Sequence, residues 1–323
     1  MKKIMILIGP PGSGKSTLAK QFVDQGYVYV NQDAQGKSGH LDVFKQALNN
    51  EYSIVIDRLN FSREQRKRYI PPSESGYIVE CIVLHENRKT CLERMMARED
   101  HPTINGNKVY ANLKGASYTQ ATKNLYDAEK LKVKQQEAGS ALNTFFKGYE
   151  RPNLGEGFDS IDFRYPETRK KISCIVTDID GTIANLDHRL HFIKPIDGSK
   201  KNFRKFLDAC DKDLPKKDVI DMVINTYIGY GEHCNLVACS GRGDECREKT
   251  QTWLDEHLPL VSELFMRERG DYREDYIIKE NLLDFEILTR YHKVYCVFDD
   301  RNQVVDMWRR RGILCLQVAD GNF

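Results

Sequence analysis

Two aspartates, Asp178 and Asp180, close an apolar run in the stretch ISCIVTDIDGT that begins at Ile172, and Gly181 and Thr182 follow at once. Two residues apart at a strand end, their side chains start toward the same face. The glycine then turns the backbone, so the two carboxylates take different positions. With Mg²⁺ beside them they divide a phosphoryl transfer between them. The cation keeps Asp178 ionised to attack phosphorus, while crowding raises the affinity of Asp180 for a proton, which it hands to the leaving alcohol. Such a site needs further carboxylates for the cation and cations for the phosphate, and downstream strand ends supply both. VACSGRGD brings Ser240, Gly241 and Arg242 after one strand, CVFDDRNQ brings Asp299 and Asp300 after another, and EDYIIKENLL brings Lys279 on a helix. The expected metal set is Asp178, Asp180, Asp299 and Asp300; the expected phosphate contacts are Ser240, Gly241, Arg242 and Lys279. Asp187, His188 and His191 have metal-ligand spacing on a helix but no third ligand group. They read as loop or cap residues, with Arg189 contacting substrate.

A second phosphate signature opens the chain. GPPGSGKS fits G-x-x-x-x-G-K-S/T between an apolar strand and a helix. Gly9, Gly12 and Gly14 let backbone N–H groups turn in around nucleotide phosphates at the positive end of that helix. Lys15 reaches the β- and γ-phosphates, Ser16 sets its hydroxyl on Mg²⁺, and Ser13 and Thr17 complete the ATP-contacting run. The next strand, YVYVN, leads to Asp33, where a carboxylate can take the proton of an attacking hydroxyl. The third strand ends IVIDRLN, offering Asp57 and Arg58 at the same rim, with Asp57 alternatively holding Mg²⁺. Arg94 and Arg98, four apart on an expected helix, would share a face and form a lid that neutralises the transferring phosphoryl group.

These residues require strands to end where they sit. Both halves alternate short apolar strands with amphipathic helices, the pattern of parallel α/β sheets. The expected fold class is α/β with two domains: a P-loop NTPase-type parallel sheet with flanking helices over 1–147, and a Rossmann-like phosphatase domain over 171–323. The segment 148–170, rich in Gly, Pro and polar residues without periodicity, reads as a linker. The two halves differ in charge: residues 1–150 hold 22 Lys and Arg against 16 Asp and Glu, and residues 151–323 hold 27 against 31. A basic front half suits an anionic partner. No apolar run approaches a membrane span, and the N-terminus does not read as a secretory signal. The nine cysteines include no C-x-x-C pair and lie mostly in apolar strands, which points to a reducing, cytoplasmic location.

The set D-x-D-G-T, S-G-R, K and D-D resembles the haloacid dehalogenase-type phosphotransferase superfamily motif for motif. With a kinase signature first and a phosphatase signature second, the whole chain resembles the T-even phage type of polynucleotide kinase/3′-phosphatase. The likeness is closest in RERGDYREDYIIKE and VFDDRNQVVDMWRRRGILCLQVADGNF. The resemblance implies an end-healing enzyme that phosphorylates 5′-hydroxyl ends of RNA or DNA with ATP and removes 3′-phosphates, with 2′,3′-cyclic phosphates a further substrate class. It also implies Mg²⁺, a homotetramer, work alongside an RNA ligase, and no membrane. Residue by residue it makes Asp178 the nucleophile, Asp180 the acid–base, Arg242 and Lys279 phosphate contacts, Asp299 and Asp300 part of the metal site, and places Arg189 near the substrate. In the kinase half, Lys15, Ser16, Asn31 and Asp33 align with the family. The arginine that the family places three residues after the base is Gly36 here, leaving Lys37 or Arg58 to hold the acceptor. Two other readings fit the same motifs: a nucleoside kinase fused to a nucleotidase, and an ATP-dependent end-binding module without catalysis.

Overall fold

The computed structural model describes residues 2–98, 104, 120–195 and 200–321. Contacts divide the chain into two units, Met1–Pro166 and Glu167–Phe323.

The first unit runs β1 (Lys3–Ile8), α1 (Lys15–Asp24), β2 (Val28–Asn31), α2 (Gln32–Gln35), α3 (Gly39–Asn49), β3 (Ile54–Asp57), α4 (Arg63–Lys67), β4 (Ile78–Leu84), α5 (Arg88–Ala97), α6 (Gln120–Gly148) and β5 (Ser160–Arg164). Its sheet has the order β2-β3-β1-β4-β5 and every pairing is parallel. Ile4, Ile6, Leu7 and Ile8 of β1 are fully buried, as a central strand covered on both faces requires. Side-chain caps fix the helix starts: Asn31 accepts from Ala34 N, Ser62 from Gln65 N and Asn87 from Thr90 N.

The expected linker needs correction. Residues 160–164 of that segment form β5, which pairs along β4 from Glu80↔Ser160 to Leu84↔Arg164, so the change of unit falls at Pro166. The segment is tied down by a buried ion pair: Arg66 on α4 donates to both oxygens of Glu156, at 2.7 and 2.8 Å, with side chains 0% and 3% exposed. Glu156→Ala leaves that guanidinium buried and unpaired. It should therefore cost about 3–5 kcal/mol of the first unit's stability, read by urea unfolding; a free linker would show no change.

The second unit runs β6 (Ser173–Thr177), β7 (Ala184–Asn185), α7 (Asp187–Leu190), α8 (Phe203–Asp208), β8 (Leu214–Pro215), α9 (Lys217–Tyr230), β9 (Cys234–Gly243), α10 (Arg247–His257), β10 (Val261–Arg267), α11 (Asp275–Leu282), β11 (Val294–Asp299), α12 (Asn302–Arg310) and β12 (Leu314–Gln317). Its main sheet, again wholly parallel, has the order β10-β9-β6-β11-β12. β10, absent from the sequence expectation, is an edge strand. α12 shows how helices cover this sheet: Val304, Val305, Met307 and Trp308 face the core while Gln303, Asp306, Arg309 and Arg310 stay exposed. All nine cysteines are buried with free thiols. Among the described residues no helix is long and apolar enough to cross a membrane.

Candidate active sites

In the second unit, β6 lies between β9 and β11, so the carboxyl ends of these three strands converge, where ligands sit in open α/β sheets. Asp178 follows β6, Ser240, Gly241 and Arg242 end β9, and Asp299 and Asp300 end β11. Gly181 is indispensable to this convergence: its φ is +83°, and a Cβ there would lie 2.2 Å from Asp300 Oδ2.

Asp178, Asp299 and Asp300 are all buried, with ligand oxygens within 4.8 Å of one another. Lys279 Nζ lies 2.8 Å from Asp178 Oδ1 and 2.9 Å from Asp299 Oδ2. Thr182 Oγ1 donates to Asp300 Oδ1 at 3.1 Å. Burial pushes the Asp178 carboxyl well above its ordinary range; Lys279 opposes the shift, and Asp299 and Asp300 add to it. Burial also raises Asp300, with Asp299 beside it. One lysine among three buried carboxylates leaves the cluster short of positive charge, which a divalent cation on these oxygens would supply. The donor set is all oxygen, which suits Mg²⁺.

Asp180 departs from expectation. Its Oδ1 accepts from Arg189 Nη2 at 2.6 Å and from Arg242 Nε and Nη2 at 2.9 and 2.5 Å, apart from the acidic cluster. Despite burial, the two guanidiniums hold this carboxyl below its usual range, Arg242 contributing most. Its side chain is therefore no part of the metal set, and neighbouring positive charge rather than carboxylate crowding governs its proton. Arg242 and Arg189, expected as phosphate and substrate contacts, both bond Asp180 and Asp213 and so aim Asp180. Ser240 Oγ accepts from Arg242 N at 3.2 Å, which leaves its own proton to donate. His188 sits 2.9 Å from Asp213, and neither it nor His191 joins the acidic cluster.

Two residues escaped the sequence reading. Asp213, 3% exposed, accepts from Arg189 Nε and Arg242 Nη2, each at 2.6 Å, and so orders both arginines. No motif surrounds it. Asp275 fills the space beside Gly241, where a Cβ would meet its Oδ1 at 2.0 Å, and lies 3.9 Å from Lys279 Nζ. Its i, i+4 spacing to Lys279 was the available signal.

In the first unit, Gly12, Gly14, Lys15 and Ser16 line one cavity of about 290 Å³ together with Asp33, Asp57, Arg58 and Arg98. Gly12 (φ +84°) permits the loop, since a Cβ there would meet Cys91 O at 2.7 Å. Lys15 Nζ donates to Gly9 O and Pro10 O, both at 2.8 Å, and burial lowers its pKa to about 8. An anion in the cavity would reverse that shift. Ser13 Oγ is buried without a partner, and Thr17 is exposed on α1.

Asp33 is exposed in the first turn of α2, whose cap is Asn31, so its carboxylate carries no capping duty. Asp57 is buried and accepts from Tyr29 Oη at 2.8 Å and Asn31 Nδ2 at 3.2 Å. The lid expectation holds only by half. α5 ends at Ala97 and Arg98 is extended (φ −73°, ψ 129°), so the two arginines do not share a helix face. Arg98 lines the cavity. Arg94 instead braces the loop from behind, donating to Gly12 O at 3.3 Å and pairing with Glu86 at 3.0 Å. The sequence's helical patterns NRKTCLERMMARE and SYTQATKNLYDAEKLKVKQQ extend over Glu99 and over 117–119, which lie outside the described residues. Lys37 is exposed and not among the cavity residues, whereas Arg58 lines the cavity with Nη1 fixed on Tyr69 Oη at 2.8 Å.

Residues 172–323 match the model of the polynucleotide kinase PNKP phosphatase domain. The second unit is similar to that family along almost its whole length. Over 95% of its length, the chain is 26% identical to a bifunctional polynucleotide kinase/RNA ligase of Autographa californica nuclear polyhedrosis virus. Over half its length it is 39% identical to the bifunctional polynucleotide phosphatase/kinase of Schizosaccharomyces pombe. It spans 41% and 33% of the lengths of these two relatives. Among solved structures, the Pnkp1/Rnl/Hen1 RNA repair complex includes a chain 22% identical to this one, with a TM-score of 0.38, covering 100% of this chain and 97% of that one. The acidic cluster and the clamped Asp180 lie at the strand ends that the D-x-D-G-T and D-D motifs marked, and Lys279 reaches the cluster from α11.

Proposed function

We propose that the chain heals polynucleotide ends: it moves the γ-phosphoryl group of ATP to a 5′-hydroxyl in the first unit and removes a 3′-phosphate in the second. The observation that carries this reading is a pair of complete strand-end sites, one per unit: Lys15 and Asp33 around one cavity, and Asp178 between Lys279 and two further carboxylates at the other. Kinase and phosphatase on the same atom would only cycle phosphate. On opposite ends of a break they produce the 5′-phosphate and 3′-hydroxyl that a ligase requires, and the viral relative's name joins a kinase to an RNA ligase. The chain accordingly works beside an RNA ligase.

In the second unit Asp178 attacks phosphorus and the bond to the 3′-oxygen breaks. Asp180, which Arg242 and Arg189 hold below its usual range in the free protein, must take up a proton once the substrate's phosphate is in place; it gives that proton to the leaving oxygen, then takes one from the water that cleaves the aspartyl-phosphate. Asp178, Asp299 and Asp300 would hold Mg²⁺, which would supply charge neutralisation. Lys279, already 2.8 Å from Asp178, meets the incoming phosphoryl charge. In the first unit Asp33 takes the proton of the 5′-hydroxyl as its oxygen attacks the γ-phosphorus, and Lys15 and Arg98 face the transferring group.

Arg58 holds the acceptor's phosphate, because it is the cation at the rim of the cavity on the Asp57 side and Lys37 is not there. Arg58→Ala should raise KM for a 5′-hydroxyl oligonucleotide about tenfold, the scale of one charged hydrogen bond, with less change in kcat. An unchanged KM would return the role to Lys37. The reading as a whole is tested by phosphate transfer from labelled ATP to an oligonucleotide and, separately, to a free nucleoside. Preference for the oligonucleotide is expected; preference for the nucleoside would make the chain a small-molecule kinase.

A further inference from the structure

The loop between β10 and α11, residues 268–274, displays Tyr272 with 95% of its surface exposed, more than any other large apolar or aromatic side chain among the described residues. An exposed tyrosine on a loose loop would mean little. This one is presented by a pinned loop. Arg267, the last residue of β10, sends Nη1 to the backbone oxygens on both sides of Tyr272, Asp271 O at 3.0 Å and Arg273 O at 2.6 Å. The Asp271 carboxylate, 6% exposed, accepts from Arg273 Nε at 3.0 Å and Nη2 at 2.6 Å. Asp271 N donates to Glu268 O at 3.1 Å, closing the turn at Gly270.

The same arginine reaches the phosphatase site. Arg267 Nε donates to Gly241 O at 2.7 Å, and Nη2 donates to Asp275 Oδ1 at 3.1 Å. Asp275 lies 3.9 Å from Lys279 Nζ, and Lys279 lies 2.8 Å from the nucleophile Asp178. A continuous polar chain therefore registers the displayed ring against the reacting carboxylate, at the carboxyl end of the sheet where substrate must enter. A 3′-phosphate seated at Asp178 leaves its own nucleotide and the next one on this rim, with their bases needing a flat partner. Such stacking tolerates any base, because every base has a π-face.

We propose that Tyr272 is a stacking platform for a base at the 3′ end of the polynucleotide, which makes it a substrate-binding residue of the second unit. This rests on the polynucleotide 3′-phosphatase reading above. The test is a double-mutant cycle between Tyr272→Ala and an abasic site at the last or the penultimate nucleotide of a 3′-phosphate oligonucleotide. Losing the ring should raise KM about tenfold, the scale of one stacked base, and Tyr272→Phe should restore it. One of the two abasic substrates should cost the wild type the same factor and cost Tyr272→Ala nothing further. A wild-type KM in Tyr272→Ala, or an abasic penalty identical in both proteins, would overturn the proposal. Anisotropy of the same oligonucleotide bound to Asp178→Asn protein, with and without Tyr272→Ala, separates the two layers. If the wild type fails to hydrolyse the 3′-phosphate while ring-dependent binding persists, the phosphatase reading falls and the platform stands. Ring-independent binding removes the platform alone.

Discussion

Asp178→Asn should abolish release of 3′-phosphate, by about 10⁴-fold or more as expected for loss of a nucleophile. Transfer of phosphate to 5′-hydroxyl ends should stay within a fewfold. The amide neither attacks phosphorus nor ligates a cation well, and it is nearly isosteric. Lys279 keeps its contact with Asp299 at 2.9 Å, so the unit remains folded. Multiple-turnover hydrolysis of a 3′-phosphate oligonucleotide measures the loss, and near-UV circular dichroism checks the fold. Residual activity near the wild-type level would mean that water, not Asp178, attacks. Asp180 acts differently, since its carboxylate handles only the proton. Its loss should therefore matter far less for a substrate with an excellent leaving group, such as p-nitrophenyl phosphate.

Lys15→Ala should lower 5′ phosphorylation on the order of 10³-fold, the scale of losing a preorganised charge at a developing oxyanion, and leave 3′ dephosphorylation within a fewfold. In the free protein Lys15 donates to two loop carbonyls and burial weakens its hold on its proton, so it is poised for an anion. Asp33→Asn tests the partner role: a general base contributes on the order of 10²–10⁴-fold, and ATP should still bind. If Asp57→Asn is the variant that loses transfer while Asp33→Asn works, the buried carboxylate is the base and Asp33 is only a helix-start residue.

The legible part of the fold was local. Short apolar runs announced β1, β2, β3, β4, β6, β9, β11 and β12, and with them Lys15, Asp33, Asp178, Asp299 and Asp300. In the two five-stranded sheets the missed strands, β5 and β10, lie at edges, and the two-residue strands β7 and β8 are too short to show a pattern. β5 has no buried residue, and β10 buries only Phe265 and Met266. Periodicity is weakest at such positions. What stayed hidden in the site was tertiary. The proton chemistry of Asp180 depends on Arg189 and Arg242, and their aim depends on Asp213, 24 residues from Arg189 in a stretch without a motif. No spacing rule connects those four residues. Arg98 was misplaced for a simpler reason: the helix stops one residue earlier, so i, i+4 geometry ceases to apply.

The central claim is that two independent sites on one chain act on the two ends of one polynucleotide. The most direct measurement is the mass of both ends of a single oligonucleotide bearing a 5′-hydroxyl and a 3′-phosphate, after incubation with ATP and Mg²⁺. The wild-type protein should give 5′-phosphate and 3′-hydroxyl. Lys15→Ala should leave both ends as hydroxyls, and Asp178→Asn should leave both ends phosphorylated. A folded variant that loses both conversions, or a wild-type protein that leaves either end unchanged, would contradict the account.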